Sequence, residues 1–270
     1  MTTEMTAKLV RFQRPELSLP YLNGIDDAHI AALFGLNVDE YRALRADFAI
    51  QARAAAADLL TDPEFASKVD RLPFAPGAHV VAMGESSTAD RLSWFEILRH
   101  LLELRRPHDG IRLTNLAVAG ATTTQTLKGI AALGFHRPDC VLCQIGANDA
   151  QRLGADGPRV VGAAETIRNL GLLHDEGVRL SGARWVWLTP TDADETLTAA
   201  FPPFQCAGIG WRAKDHEETA QALRDRAEPV VDALTPTRPS AGHRLYEPDG
   251  VHLTPAGQVV VARAVVAALS

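Results

Sequence analysis

From residue 78 onward, short apolar runs alternate with helical patterns, and that alternation constrains the fold more than any other feature of the chain. The runs HVVAMG, IRLTNLAV, CVLCQIG and RWVWLTP are each bounded by Gly, Pro or polar turns. Between and after them lie DRLSWFEILRHLLEL, TTQTLKGIAAL, RVVGAAETIRNLGLL, DHEETAQALRDRAEPVVDAL and TPAGQVVVARAVVAAL. Thr254 is placed to cap the last of these, and Pro255 takes its first helical position. Strands apolar on both faces need cover on both sides, which intervening helices supply in a parallel sheet. HRLYEP reads as a weaker fifth strand. The expected fold class is α/β: a flavodoxin-like three-layer α/β/α domain over residues 78–270, with a parallel sheet of about five strands.

Residues 1–77 read as an N-terminal helical extension. DDAHIAALFG and NVDEYRALRADFAIQARAAAADLL are helical, with Asp26 and Asn37 as N-caps. Tyr41, Leu44, Phe48, Ala52, Ala55 and Leu59 fall on one apolar face. LPFAPGA marks the boundary, and the extension is expected to serve as a lid or as a packing or oligomer module. IAALFGLNVDEYRAL has the outline of a helix-turn-helix with Gly35 in the turn. The segment holds eight Lys/Arg against eleven Asp/Glu, and the whole chain carries net charge -6. DNA binding needs a basic face, so a structural hairpin is expected and no nucleic-acid partner.

Three cysteines cannot build a disulfide framework, and Cys140 and Cys143 read as buried strand residues. No apolar core follows the basic residues near the start. VVVARAVVAAL is far shorter than the roughly 20 residues of a membrane span. A cytoplasmic protein without a membrane partner is expected.

Parallel sheets of this kind place chemistry outside the carboxyl ends of their strands. GESSTAD follows the first strand: Ser86 sits at the strand-to-helix turn as a candidate nucleophile, or as a simple cap with Ser87 and Thr88. NLAVAGATT follows the second, where Gly120 either makes a turn or aims a backbone N–H at a developing oxyanion. GANDAQRL follows the third, where Asn148 is an amide donor or half of an Asn-Asp turn. Before the final helix, EPDGVHLTPAG sets Asp249 three residues from His252, as a carboxylate orienting a base or as an ordinary loop pair. Arg152 reads as a helix-start residue in solvent or as a partner for a substrate carboxylate.

In order and wording these blocks resemble the SGNH hydrolases, the GDSL esterase/lipase family, over roughly residues 78–270. The matching pieces are Gly84-Glu85-Ser86, Asn115 through Gly120, Gly146-Ala147-Asn148-Asp149 and Asp249-Gly250-Val251-His252. The family carries Asp where this chain has Glu85, and usually Leu or Ile at Ser87. The resemblance implies serine-dependent hydrolysis of a carboxylic ester through an acyl-enzyme. Ser86 would be the nucleophile, His252 the base and Asp249 its orienter. The oxyanion hole would be formed by the Ser86 and Gly120 N–H groups and the Asn148 amide. No metal or organic cofactor is needed. A short-acyl or acetyl ester of a small soluble metabolite or sugar is the expected substrate. An acyltransferase using the same acyl-enzyme, or a non-catalytic binding or regulatory protein on a degenerate hydrolase fold, are the alternatives. The long stretch TDADETLTAAFPPFQCAGIGW contributes Phe201, Phe204 and Trp211 as candidate pocket lining beside His252, or as rings that pin the loop.

Overall fold

Residues 3–18, 24–154, 157–242 and 244–270 are described by the computed structural model. Five helices come first: α1 (Thr3–Phe12), α2 (Pro15–Ser18), α3 (Asp27–Leu33), α4 (Val38–Leu59) and α5 (Pro63–Asp70). Asp26 caps α3, and Asn37 opens α4 in a capping box with Glu40, each side chain satisfying amides that a helix start leaves unpaired. Gly35, at φ +69°, makes the turn between them. Tyr41, Phe48, Ala52 and Leu59 of the expected apolar face are buried. The face is shared between two partners. Tyr41 and Phe48 pack with Val10, Ile30 and Phe34 of α1 and the α3 region, whereas Ala52 and Leu59 join Phe65 and Val69 of α5 in the core beneath the sheet. The helix-turn-helix outline is therefore a packed hairpin.

The remaining elements are β1 (His79–Gly84), α6 (Ser86–Ala89), α7 (Trp94–Arg105), β2 (Arg112–Asn115), α8 (Thr123–Gly129), α9 (Ala132–His136), β3 (Cys140–Gln144) and β4 (Arg152–Leu153). After them come α10 (Ala163–Ser181), β5 (Arg184–Leu188), α11 (Glu195–Ala200), α12 (Pro202–Ala207), β6 (Ile209–Gly210), α13 (Ala213–Arg224), β7 (Val230–Val231) and α14 (Pro255–Leu269). Five strands form one parallel sheet in the order β2-β1-β3-β5-β7, and β4 pairs antiparallel with β6. Strand periodicity divides the core. Val80, Ala82, Leu142, Val186 and Leu188 face α7 and α14, while Val81, Met83, Val141, Trp185 and Trp187 face α10 and α13. Cys140 and Cys143 lie buried on β3, one on each side, and burial pushes the Cys140 thiol up to about 11.

Two expectations are corrected. The fifth strand is Val230–Val231, not HRLYEP: His243 lies outside the described residues, and Tyr246 makes only an isolated bridge to Leu253. Two residues carry no period, and Val230–Val231 is a strand by its pairing with β5. The stretch from Thr191 to Trp211 is also not an open loop. It folds into α11, α12 and β6, with Asp194 capping α11 and Pro202 opening α12. Among the described residues no helix is long and apolar enough to cross a membrane.

Gly84 closes β1 where the chains are too close for any side chain. A Cβ there would stand 2.2 Å from the Gln144 carbonyl oxygen, a backbone atom of the neighbouring strand. Gly84→Ala is expected to destabilise the protein by about 3 kcal/mol or more, because backbone must move to admit the methyl. Thermal unfolding checks this: an unchanged Tm would show that the β1–β3 edge yields freely.

Candidate active site

Ser86, Gly120 and Asn148 follow the carboxyl ends of β1, β2 and β3, and Asp249 and His252 stand in the loop before α14. Glu85 occupies the N-cap of α6 and Ser86 its first turn. Ser86 is 7% exposed, and among the described residues its hydroxyl and its backbone N–H meet no hydrogen-bond partner. It does not serve as the cap. The turn is held from below by a buried polar cluster: Trp94 Nε1 donates to Gln144 Oε1 at 2.8 Å, and Asn115 Nδ2 donates to the Thr88 carbonyl at 2.7 Å. Asn115 thus supports the serine turn rather than a ligand.

His252 is oriented by its own loop. Its Nδ1 lies 2.9 Å from Asp249 Oδ2, and its backbone N–H and that of Val251 donate to Asp249 Oδ1 at 2.9 and 3.1 Å. A ring N–H facing the carboxylate makes Nδ1 the protonated nitrogen and leaves the Nε2 lone pair open. Nε2 meets no hydrogen-bond partner among the described residues. Burial works against the charge on Asp249, yet the bonds from His252 and from Lys8 hold its carboxyl below the usual carboxylate range. Ser86 and His252 are not hydrogen-bonded to each other. Instead, side chains from other elements tie their loops together. Gln258, in the first turn of α14, donates to the Ser87 carbonyl and to Asp90, both at 3.2 Å, and accepts from Trp94 N–H at 3.0 Å.

Of the three expected oxyanion donors, two are open and one is engaged. The N–H groups of Ser86 and Gly120, the latter at φ +80° in an exposed turn, have no acceptor among the described residues. Asn148 Nδ2 instead lies 2.8 Å from Glu85 Oε2 and 3.1 Å from the Ala121 carbonyl, so both amide hydrogens have acceptors. Glu85 also accepts from the Ala147 and Asn148 N–H groups at 2.9 and 3.0 Å. Burial pushes the Glu85 carboxyl up to about 8, against the pull of these donors toward the charged form. Glu85 therefore fastens the serine turn to the Asn148 loop, reaching the side-chain amide as well as the backbone. Asp149 is buried and accepts from Thr123 N–H and Oγ1, which ties the same loop to α8.

Phe201, Phe204 and Trp211 form a run of rings, with centroids 4.8 and 4.9 Å apart in sequence. Trp211 Nε1 donates to the Ala147 carbonyl beside Asn148, and Trp211 packs in a small cluster with Ala150 and Val251. This run joins the Asn148 loop to the histidine loop. Phe204 and Trp211 line a cavity of about 520 Å³ with Glu195 and Thr198. Arg152 also lines it, and it lies in β4 rather than at a helix start, bidentate to buried Asp215 at 2.6 and 2.9 Å. Among the described residues no group of three His, Cys, Asp or Glu side chains is placed to hold a metal ion.

The N-terminal helix reaches this site, which nothing in the motif pattern indicated. Lys8 Nζ lies 2.9 Å from Asp249 Oδ2, and the Phe12 ring lies 4.5 Å from that of His252. Arg11 grips Asp90 with two bonds of 2.8 and 2.7 Å, Glu247 at 2.7 Å and the Leu253 carbonyl at 3.0 Å. It thereby bridges the end of the serine turn and both sides of the histidine loop. The only available signal was helical spacing, which puts Lys8, Arg11 and Phe12 within one turn of each other.

A model of the GDSL-like lipase/acylhydrolase family matches residues 81–260, from within β1 through the His252 loop into α14. The chain belongs to that family. It is a carboxylic-ester hydrolase with the parallel α/β architecture expected of its motifs. Among solved structures, LAE5, an alpha/beta hydrolase enzyme from the metagenome of Lake Arreo, Spain, is 21% identical with a TM-score of 0.56. The match covers 73% of this chain and 96% of that one. A variant of Axe2, an acetyl xylan esterase from Geobacillus stearothermophilus, is 21% identical with a TM-score of 0.57 and the same coverage. TesA is 20% identical with a TM-score of 0.54, over 71% of this chain and 98% of its own. At these identities the likeness is one of fold. A comparison with curated proteins finds no match. Helices α1–α5 of the hydrolase lie outside the family match.

Proposed function

We propose that the hydrolase cleaves a short-acyl or acetyl ester of a small soluble metabolite or sugar through an acyl-enzyme on Ser86. The observation that carries this reading is the His252–Asp249 pair at 2.9 Å, with Nε2 left unbonded at the sheet edge that also bears an unbonded serine hydroxyl. Ser86 Oγ attacks the ester carbonyl carbon as His252 Nε2 takes its proton. The Ser86 and Gly120 N–H groups, joined by the Asn148 amide when it leaves Glu85, receive the oxyanion. Collapse breaks the bond to the alkoxy oxygen, which leaves with the proton from His252. Water then attacks the acyl carbon, with His252 as base again, and the acid departs.

Phe201, Phe204 and Trp211 are the proposed substrate wall, supported by the run of rings they form and by the contacts of Trp211 with the Ala147 carbonyl and Val251. A short acyl group is in keeping with the Axe2 relative in fold, itself an acetyl xylan esterase. We take residues 1–77 as an extension that covers the catalytic edge, supported by the contacts of α1 with Asp249 and His252. The exposed free thiol of Cys206 favours a reducing, cytoplasmic compartment, which cell fractionation would check.

A fluorophosphonate probe tests the chemistry directly. The expected result is a single adduct on Ser86, located by peptide mass spectrometry and absent in His252→Ala. A folded sample that takes no label at Ser86, or labelling indifferent to His252, would overturn the reading. Added alcohols that capture the acyl group faster than water would redirect it to acyl transfer.

A further inference from the structure

We infer that Lys8 is a positioning residue of the hydrolytic site, sharing Asp249 Oδ2 with His252 and thereby setting how strongly the carboxylate supports the imidazole. The inference rests on the reading of Ser86, His252 and Asp249 given above, and it adds a residue from a helix outside the family match. Two donors converge on one oxygen. His252 Nδ1 and Lys8 Nζ each stand 2.9 Å from Asp249 Oδ2, while the other oxygen takes two backbone N–H groups. The Asp249 side chain is 2% exposed and that of Lys8 37%, so the shared carboxylate is shielded while the lysine keeps an open side. A cation bonded to Oδ2 draws on the same negative charge that would stabilise the imidazolium formed during attack.

The seat of α1 does not depend on Lys8. Val10 is fully buried, its carbonyl accepts from Arg91 Nε at 2.9 Å, and the Arg11 carbonyl accepts from Arg91 N–H at 3.1 Å. Arg11 adds its grip on Asp90, Glu247 and the Leu253 carbonyl, and Phe12 lies against the His252 ring. Removing the Lys8 charge should leave the helix docked and the ring covered. The other charged groups packed on the histidine loop keep their own partners: Arg11 with Asp90 and Glu247, and Asp194 with the first-turn amides of α11. A Lys8 variant then changes the charge facing Asp249. It also touches the Phe201 ring, whose centroid lies 5.7 Å from Lys8 Nζ; Lys8→Arg keeps a cation for both and Lys8→Met for neither.

The test compares wild type, Lys8→Met, Lys8→Arg and Ser86→Ala by the pH profile of kcat/KM on p-nitrophenyl acetate. In Lys8→Met the undivided charge of Asp249 favours the imidazolium, so the acid limb is expected to move upward by about half to one pH unit. Activity on that limb falls by about 3- to 10-fold, while the plateau at higher pH is retained. Lys8→Arg, which keeps the cation, restores the wild-type limb. An ion pair without influence on the imidazole would leave all three profiles superimposed, and that result overturns the inference while Ser86→Ala is inactive. Turnover that survives Ser86→Ala overturns the underlying catalytic reading instead, and the role of Lys8 with it.

Discussion

Replacing Ser86 by alanine is expected to abolish ester turnover while leaving the fold untouched. The Ser86 hydroxyl makes no hydrogen bond among the described residues, so its removal leaves no buried partner unsatisfied. A change in stability within about 0.5 kcal/mol is expected for a substitution that removes no such contact. The chemical loss is of a different order. Without a nucleophile no acyl-enzyme forms, and comparable serine hydrolase knockouts lower kcat by on the order of 10⁴–10⁶. Steady-state turnover and a thermal melt on one preparation separate the two effects. A Ser86→Ala enzyme with wild-type turnover would remove Ser86 from the mechanism, whereas a lost transition in the melt would mean that the turn needs the hydroxyl for folding.

Asn148→Ala is expected to lower kcat by roughly 10²–10³, the usual result of losing one oxyanion donor. The structure complicates this substitution, because the amide also bonds Glu85 and the Ala121 carbonyl. Losing a bond to this buried carboxyl group destabilises by about 1–3 kcal/mol. Glu85 keeps the N–H groups of Ala147 and Asn148, so the loop stays attached to the serine turn. The rate must therefore be measured well below the melting temperature of the variant. If kcat is then unchanged, Asn148 serves Glu85 alone, and the oxyanion is held by the Ser86 and Gly120 amides without it. A fall in kcat with little change in KM would show that the amide leaves Glu85 during the reaction.

Glu85 joins two loops that follow different strands. The family carries Asp at this position. Glu85 accepts from two backbone N–H groups of the Asn148 loop and from the Asn148 side-chain amide as well. That contact could not be read from the sequence, since it depends on the separation of two loops that follow different strands.

The sequence by itself determined the layers and the edge that carries the candidate residues. Both follow from local rules: apolar strands of HVVAMG type alternate their side chains between two helical layers, and turn residues stand where strands end. Asp249 and His252 were legible for the same reason, being three residues apart in one loop. The Asp26 and Asn37 caps were equally local. The two-residue strand Val230–Val231 was not legible, because its identity comes from pairing with β5 rather than from a pattern of its own. Nor was the place of α1. Lys8 and Asp249 are separated by 241 positions, and no periodicity links them. Only the tertiary structure could decide that a helix from the extension brings a cation onto the carboxylate that orients His252, because ion pairs and ring contacts between distant segments are selected by packing of the whole chain.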